Sequence, residues 1–107
     1  MAVIDIPRAD GSKVKCDTEA RTLSYYRYHV RFTPLEWKIL VYLYDHRPNP
    51  VSRNDLIKLI WGQSKVFPTR TIDVHISSIR KKVAYIKGAR IESIYGKGYR
   101  LIMLNRI

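Results

Sequence analysis

The strongest hydrophobic pattern in the chain lies between residues 69 and 86. Aliphatic residues recur there every three or four positions, and an α-helix that turns about 100° per residue gathers such positions on one stripe. The stripe consists of Ile72, Ile76, Ile79, Val83 and Ile86. The other face is mostly polar and basic, with Val74 and Tyr85 as its apolar members. We therefore predict a helix over about 69–86 that buries one face and presents the other to a polar partner.

Residues 1–32 show the shorter period of β-strands. An apolar run ends at Pro7, and Val14 stands between lysines. The segments 22–26 and 28–32 are rich in β-branched and aromatic residues, which favour strands. We predict that these segments pair in a small antiparallel sheet.

Two further helices are predicted between this sheet and the amphipathic helix. Thr33 is a good N-cap, and Glu36, three residues later, completes a capping-box pattern. Ser52 repeats the N-cap signal for a shorter helix, and Gly62 is a typical helix end. The segment 62–68 is predicted to be a loop.

The C-terminal part predicts a hairpin, because residues 90–94 and 99–103 alternate as strands around the tip Gly96-Lys97-Gly98. Both glycines can adopt positive φ at low cost, as a tight hairpin turn requires. A helix that can enter a major groove, beside a hairpin (about 91–103) that can reach the next groove, is typical of a winged helix. The predicted fold class is therefore α+β, a winged helix-turn-helix in one domain over 1–107, divided into an N-terminal sheet (1–32), a three-helix core (33–88) and a wing hairpin (89–107).

The charge of the chain narrows the choice of partner. Twenty Lys and Arg stand against nine Asp and Glu, which gives a formal net charge of +11. Such an excess attracts polyanions over a long range. A generic basic surface is the plain alternative, but basic residues concentrate on one face of the predicted helix, which favours nucleic acid. A membrane surface is disfavoured, because no basic amphipathic segment carries a free apolar face.

The sequence gives little support to catalytic or metal-binding chemistry. Asp73 and His75 lie two positions apart on a helix and point about 160° apart, so they cannot form a dyad. The three histidines and the single cysteine lack the spacing of a metal site. We expect no catalytic residue, no metal and no cofactor. The N-terminus has no charged leader, and no segment approaches the ~20 apolar residues of a membrane span, so we expect a cytoplasmic protein.

Six short motifs carry a resemblance to a known family. They lie at 32–37 (FTPLEW), 51–56 (VSRNDL), 61–62 (WG), 70–76 (RTIDVHI), 79–83 (IRKKV) and 96–101 (GKGYRL). In this order and spacing, the segment 31–101 resembles the winged-helix output domain of the OmpR/PhoB family of bacterial response regulators. The N-terminal strands are similar to the sheet that opens that family's domain, so the resemblance covers nearly the whole chain.

The resemblance implies a transcriptional regulator that binds double-stranded DNA in a sequence-specific manner. In that family the third helix enters the major groove, and the wing contacts the adjacent minor groove or the backbone. The residues that would hold phosphates are Arg70, His75 and Arg80. Those that would lie against base edges are Val74 and Ser78, with Ser77 beside them. The wing would contribute Ser93, Tyr95 and Lys97, and Thr71, Lys81 and Lys82 complete the expected DNA-binding set.

The chain departs from that family at three of these positions. Many members carry arginine, the usual reader of guanine, where this chain has Ser77, Ser78 and Tyr95. The base preference therefore cannot be copied from a relative. Family members usually join this domain to a phosphorylated receiver domain, which is not among these 107 residues, so we expect a standalone regulator or an excised output domain.

Two further partners are implied by the resemblance. The loop 62–68 corresponds to the family's loop that can touch RNA polymerase, and members often bind as pairs on tandem half-sites, so a second copy of the chain is expected. Two other functions stay open. One is a nonspecific or architectural nucleic-acid binder, which the two serines favour. The other is a protein-interaction module that docks on RNA polymerase through residues 66–68 or through the sheet.

Overall fold

The computed structural model of the chain describes residues 3–8, 11–62, 70–86 and 88–103. Along these residues run four strands, three helices and two further strands. They are β1 (Val3–Pro7), β2 (Lys13–Asp17), β3 (Thr22–Tyr25), β4 (Tyr28–Arg31), α1 (Pro34–His46), α2 (Arg53–Trp61), α3 (Arg70–Val83), β5 (Ala89–Ile94) and β6 (Gly98–Met103). This order confirms the predicted α+β winged-helix fold.

The four N-terminal strands form one antiparallel sheet in the order β1-β2-β3-β4. Leu23 of β3 pairs with Cys16 of β2 on one side and with Val30 of β4 on the other. Val14, Leu23 and Tyr25 are buried, whereas Lys13 and Lys15, on either side of Val14, are exposed. The sheet thus buries one face, as the alternation of residue types predicts.

Both predicted N-caps begin their helices. Thr33 Oγ1 accepts a hydrogen bond from Glu36 N at 3.1 Å, and Thr33 N donates to Glu36 Oε1 at 2.9 Å, which completes the capping box of α1. Ser52 Oγ accepts from Asp55 N at 3.0 Å at the start of α2. Each cap satisfies backbone N–H groups that the first turn of a helix leaves without a partner.

Helix α3 carries the predicted aliphatic stripe but is shorter than predicted. Its buried residues are Ile72, Ile76, Ile79 and Val83. The helix ends at Val83 rather than near residue 86, because Ile86 N bonds to Val83 O at 2.9 Å in a tighter turn that leads into β5. Ile86 is buried through this turn, so its apolar character is explained without a helical position. The predicted first residue of the helix, Thr69, lies outside the described residues.

Strands β5 and β6 form the predicted hairpin, and Ile94 pairs with Gly98 beside its turn. One contact of this hairpin was not predicted. Val51, which precedes α2, pairs with Tyr99 through two backbone hydrogen bonds, Val51 N to Tyr99 O at 2.7 Å and Tyr99 N to Val51 O at 3.0 Å. The hairpin is therefore tied to the chain segment that starts α2.

A single hydrophobic cluster joins the sheet, the helices and the hairpin. Its largest side chains without exposed surface include Phe32, Ile39, Leu43, Leu56 and the α3 stripe. Because this core holds α3 from behind, the opposite face of the helix stays at the surface.

Candidate nucleic-acid interface

One strip of α3 is exposed along the whole length of the helix. Its members are Arg70, Val74, Ser77 and Lys81. They recur every three or four residues, which places them on one line opposite the buried stripe. Val74 is an apolar side chain left 64% exposed at the centre of this strip. We call these four residues the exposed strip; it brings two cations, one methyl-bearing side chain and one hydroxyl to the surface.

One flank of α3 is held by a carboxylate of α1. Glu36 is only 5% exposed, and both of its oxygens are bonded. Ser78 Oγ donates to Oε2 at 2.5 Å, and Lys82 Nζ donates to Oε1 at 2.6 Å. Burial by itself raises the pKa of this carboxyl, but hydrogen bonds from Lys82, Ser78 and the Thr33 backbone outweigh burial and lower the pKa to about 2. Ser78 and Lys82, two residues of the predicted DNA-binding set, thus have partners inside the protein.

The other flank of α3 is held by α2 and the hairpin. Tyr99 Oη donates to Asp73 Oδ1 at 2.5 Å, and Arg53 Nε lies 3.0 Å from the same oxygen. Burial first, and then the hydrogen bond to Asp73, raises the pKa of the Tyr99 hydroxyl. Asp73 therefore connects three elements rather than acting with His75.

Arg80 fixes the hairpin to the same flank. Its Nε donates to Ile91 O at 3.0 Å, and its Nη2 donates to Ser93 Oγ at 2.8 Å. Its guanidinium also lies 5.4 Å from the centre of the Tyr99 ring. Two predicted DNA contacts, Arg80 and Ser93, are thereby bonded to each other.

Thr71 and His75 lie half-buried at the edge of the exposed strip. The imidazole of His75 is 6.3 Å from the ring of Trp61, between ring centres. Trp61 packs against the core from its partly buried position, as expected for a core tryptophan. The edge of the strip next to Glu36 is therefore lined by side chains that are only partly accessible.

The tip of the hairpin is the most exposed part of the described chain on this side. Tyr95 is 102% exposed, and Gly96 and Lys97 are exposed beside it. An open cleft of about 590 Å³ separates the tip from the start of α2, where Arg53 and Asn54 line it. The side chains of the predicted wing residues Tyr95 and Lys97 are thus exposed to a partner.

Three residues that organise this surface were not predicted to do so: Glu36, Arg53 and Tyr99. Glu36 carried a capping-box signal, which explains one of its three bonds. Arg53 and Tyr99 stood inside the family motifs at 51–56 and 96–101, but nothing in their local sequence pointed to Asp73. Contacts between residues 26 to 46 positions apart leave no periodic signal.

One prediction cannot be placed in the same way. The loop 62–68, expected to touch RNA polymerase, lies outside the described residues except for Gly62. Within the described ranges, no cluster of three or more His, Cys, Asp or Glu side chains could hold a metal ion. None of the described helices has the length and apolar character that a membrane crossing needs.

Comparison with known proteins finds the same layout elsewhere. The family described as "Transcriptional regulatory protein, C terminal" matches residues 27–101. The uncharacterized transcriptional regulatory protein YbdJ of Bacillus subtilis is 39% identical over 72 residues, which cover 67% of this chain and 32% of that protein. The chain spans about a third of the length of such curated relatives.

Two solved structures are similar over most of the chain. The DNA-binding domain of Bacillus subtilis CssR has a TM-score of 0.71 at 26% identity and covers 82% of this chain and 98% of its own. The Klebsiella pneumoniae RstA DNA-binding domain, solved in complex with the RstA box, has a TM-score of 0.69 at 26% identity. That alignment covers 90% of this chain and 94% of the RstA domain.

Proposed function

Because the chain belongs to the family of transcriptional regulatory proteins, as their C-terminal domain, we propose that it binds double-stranded DNA in a sequence-specific manner and thereby regulates transcription. The observation that carries the proposal is the exposed strip of α3 beside an exposed hairpin tip. A helix of this kind fits a major groove, and the hairpin then acts as the wing in the neighbouring groove. The similar RstA DNA-binding domain, solved in complex with the RstA box, supports DNA as the partner.

Affinity in this proposal comes from cations on phosphates. Arg70 and Lys81 stand near the two ends of the exposed strip, and Lys97 stands at the wing tip. Three cations at such separated points can meet both walls of a groove and the adjacent backbone. Thr71 and His75, at the edge of the strip, add weaker phosphate contacts.

Sequence preference comes from the centre of the strip. The exposed methyl groups of Val74 suit the methyl group of thymine, and the Ser77 hydroxyl can donate to or accept from a base edge. Tyr95 at the wing tip adds an apolar surface at the sugar edge of the neighbouring groove. Arg80 and Ser93 contribute by keeping the wing at a fixed distance from α3.

Regulation requires partners besides DNA. A second copy of the chain on a tandem half-site is part of this proposal, and so is contact of the loop 62–68 with RNA polymerase. The resemblance to the OmpR/PhoB family supports both. A protein with these partners works beside the chromosome, in the cytoplasm of a bacterium.

The test is a selection from randomised duplex DNA at about 0.15 M salt, followed by the affinity of the best site against a scrambled one. Enrichment of a motif, with a best site bound at least a hundredfold more tightly than the scrambled duplex, is the expected result. Equal, salt-sensitive binding to every duplex would favour a nonspecific architectural protein instead. That second function has one observation in its support, because the centre of the strip holds no arginine and Ser77 alone discriminates weakly. Absence of binding to any duplex would favour a protein partner.

A further inference from the structure

We propose that Glu36 is a positioning residue for DNA recognition: it binds Ser78 and Lys82 of α3 within the protein and leaves only the exposed strip to meet the major groove. This inference rests on the proposed function. It assigns a role in recognition to a residue of α1 that itself has almost no exposed surface. It also separates the predicted DNA-binding residues of α3 into a set that faces the nucleic acid and a set that faces Glu36.

The first argument is that both carboxylate oxygens of Glu36 accept hydrogen bonds within the protein. Glu36 Oε1 accepts from Thr33 N at 2.9 Å and from Lys82 Nζ at 2.6 Å, while Oε2 accepts from Ser78 Oγ at 2.5 Å. Hydrogen bonds to an ionised acceptor are about twice as strong as those between neutral groups. Ser78 and Lys82 are therefore held in defined positions before any nucleic acid arrives.

The second argument is the consequence of releasing Lys82. If its ammonium group moved to a phosphate, the nearly buried carboxylate of Glu36 would lose its only cation partner in the described structure. A buried charge without its partner is strongly unfavourable, so a phosphate contact of Lys82 would have to offset that cost before it added to affinity. The ammonium also lies 5.5 Å from the centre of the Phe32 ring, a second favourable contact that release would break. Lys82 should therefore remain on Glu36 when DNA binds.

The third argument concerns the orientation of α3. Ser78 and Lys82 lie one helical turn apart, so two bonds to one carboxylate fix the rotation of α3 about its axis relative to α1. Asp73 holds the opposite flank through Arg53 and Tyr99. Because several bonds hold the two flanks, loss of the Ser78 bond or the Lys82 bond alone leaves Val74 pointing in the same direction.

Two adjacent lysines make a matched test. Lys81 belongs to the exposed strip, and Lys82 binds Glu36. We expect Lys81→Met to flatten the dependence of log K on log salt by about 1, because one phosphate contact is lost. We expect Lys82→Met to leave that slope unchanged and Ser78→Ala to leave the selected motif unchanged. Binding is measured by fluorescence anisotropy with the best selected duplex at several salt concentrations.

The reverse experiment frees Lys82 without removing it. Glu36→Gln keeps the size of the side chain but removes the charge that holds the ammonium. We expect its salt slope to become steeper by about 1, because Lys82 becomes available to phosphates. The double variant Glu36→Gln with Lys82→Met should return to the wild-type slope. A purely structural role of Glu36 would lower the folded fraction without changing the slope.

Controls separate positioning from folding. Thr33→Ala removes the N-cap of the same helix but leaves the bonds to Ser78 and Lys82, and it should keep the wild-type slope and motif. Lys82→Arg keeps a cation for Glu36 and should also behave as wild type. Each variant is used below the onset of its thermal unfolding, which circular dichroism defines.

The outcomes are decisive in both directions. A flatter slope for Lys82→Met, or a changed base in the motif of Ser78→Ala, would overturn the positioning role while the proposed function stands. A wild-type chain that enriches no motif would refute sequence-specific binding, yet the lysine comparison on any duplex would still decide where Lys82 lies. A wild-type chain that binds no duplex would refute both.

Discussion

The carboxyl group of Glu36 makes the stability of the fold depend on pH, because its pKa is about 2 in the folded chain and its ordinary value is 4.5. A lowered pKa in the folded state means that the unfolded state binds the proton more readily. The resulting stability is present above about pH 4.5 and is lost as the pH falls through 2. The pH window of this effect is therefore set by one residue of α1.

We expect the free energy of unfolding of the wild type to fall by about 3 kcal/mol more than that of Glu36→Gln between pH 6 and pH 2. The variant cannot ionise at this position, so its remaining pH dependence comes from the other carboxyl groups. Urea denaturation followed by circular dichroism at several pH values measures both curves. Parallel curves for the two proteins would mean that Glu36 is not the acid-sensitive group.

Arg70 is the cation of the exposed strip whose position argues most directly for an external partner. It lies in the first turn of α3, where a positive charge opposes the helix dipole and gains nothing from it. We expect Arg70→Ala to weaken binding to all duplexes and to flatten the salt slope by about 1. Lys38→Ala, which removes an exposed cation from α1, is the matched control and should leave the slope unchanged. A loss confined to one base position would instead make Arg70 a base reader.

At the scale of elements, the junction between the wing and the start of α2 depends on one glycine. Gly98 has φ 122°, and a Cβ atom there would meet Val51 O at 2.1 Å, well inside any tolerable contact. Gly96 in the same turn has φ 74° but nothing within 4 Å of such an atom. Both positions have a positive φ that favours glycine, but only Gly98 lies against the backbone of Val51.

Replacing each glycine by alanine should separate these two effects. We expect Gly96→Ala to cost about 1 kcal/mol of unfolding free energy, the usual penalty of a left-handed residue. Gly98→Ala should cost about 3 kcal/mol, because overpacking against the Val51 backbone adds to the same strain. Thermal and urea unfolding of both variants measure the difference. Equal losses would show that the wing can move away from Val51 at little cost.

Local signals predicted the elements of the fold, and long-range contacts remained hidden. The N-cap of Thr33 and the stripe of Ile72, Ile76 and Ile79 depend on neighbours within one or two turns, so the sequence displays them directly. The end of α3 depends on where β5 begins, and this moved it to Val83. The bonds from Glu36 to Ser78 and Lys82 join residues 42 and 46 positions apart. The expected DNA-binding set included both serines, Ser77 and Ser78, and only the packing of α1 separates them.

At the scale of the whole molecule, attraction to a polyanion depends on where the acidic groups lie as well as on the net charge of +11. Three acidic residues on α1, α3 and β5 form ion pairs within the protein: Glu36 with Lys82, Asp73 with Arg53, and Glu92 with Arg90 and Arg100. The cations of the exposed strip and of the wing tip form none of these pairs. Their field is therefore directed outward from one side of the molecule, which is the arrangement that steers a protein to a polyanion.

The dimensions of the molecule allow a last prediction about how copies line up on DNA. The chain measures 43 × 29 × 21 Å, so a copy that lies on DNA along either of its two shorter directions fits within one DNA turn of about 34–36 Å. We expect the selected motif to contain two direct half-sites one turn apart, and a duplex with both to bind two copies.

Inserting about five base pairs between the half-sites turns the second copy to the opposite side of the duplex. Sedimentation of the two duplexes with excess protein should then show two copies on each. A titration of each duplex by fluorescence anisotropy should be cooperative only at the one-turn spacing. Independent binding at both spacings would mean that the copies do not touch, and a single half-site in every selected sequence would mean that one copy is the functional unit.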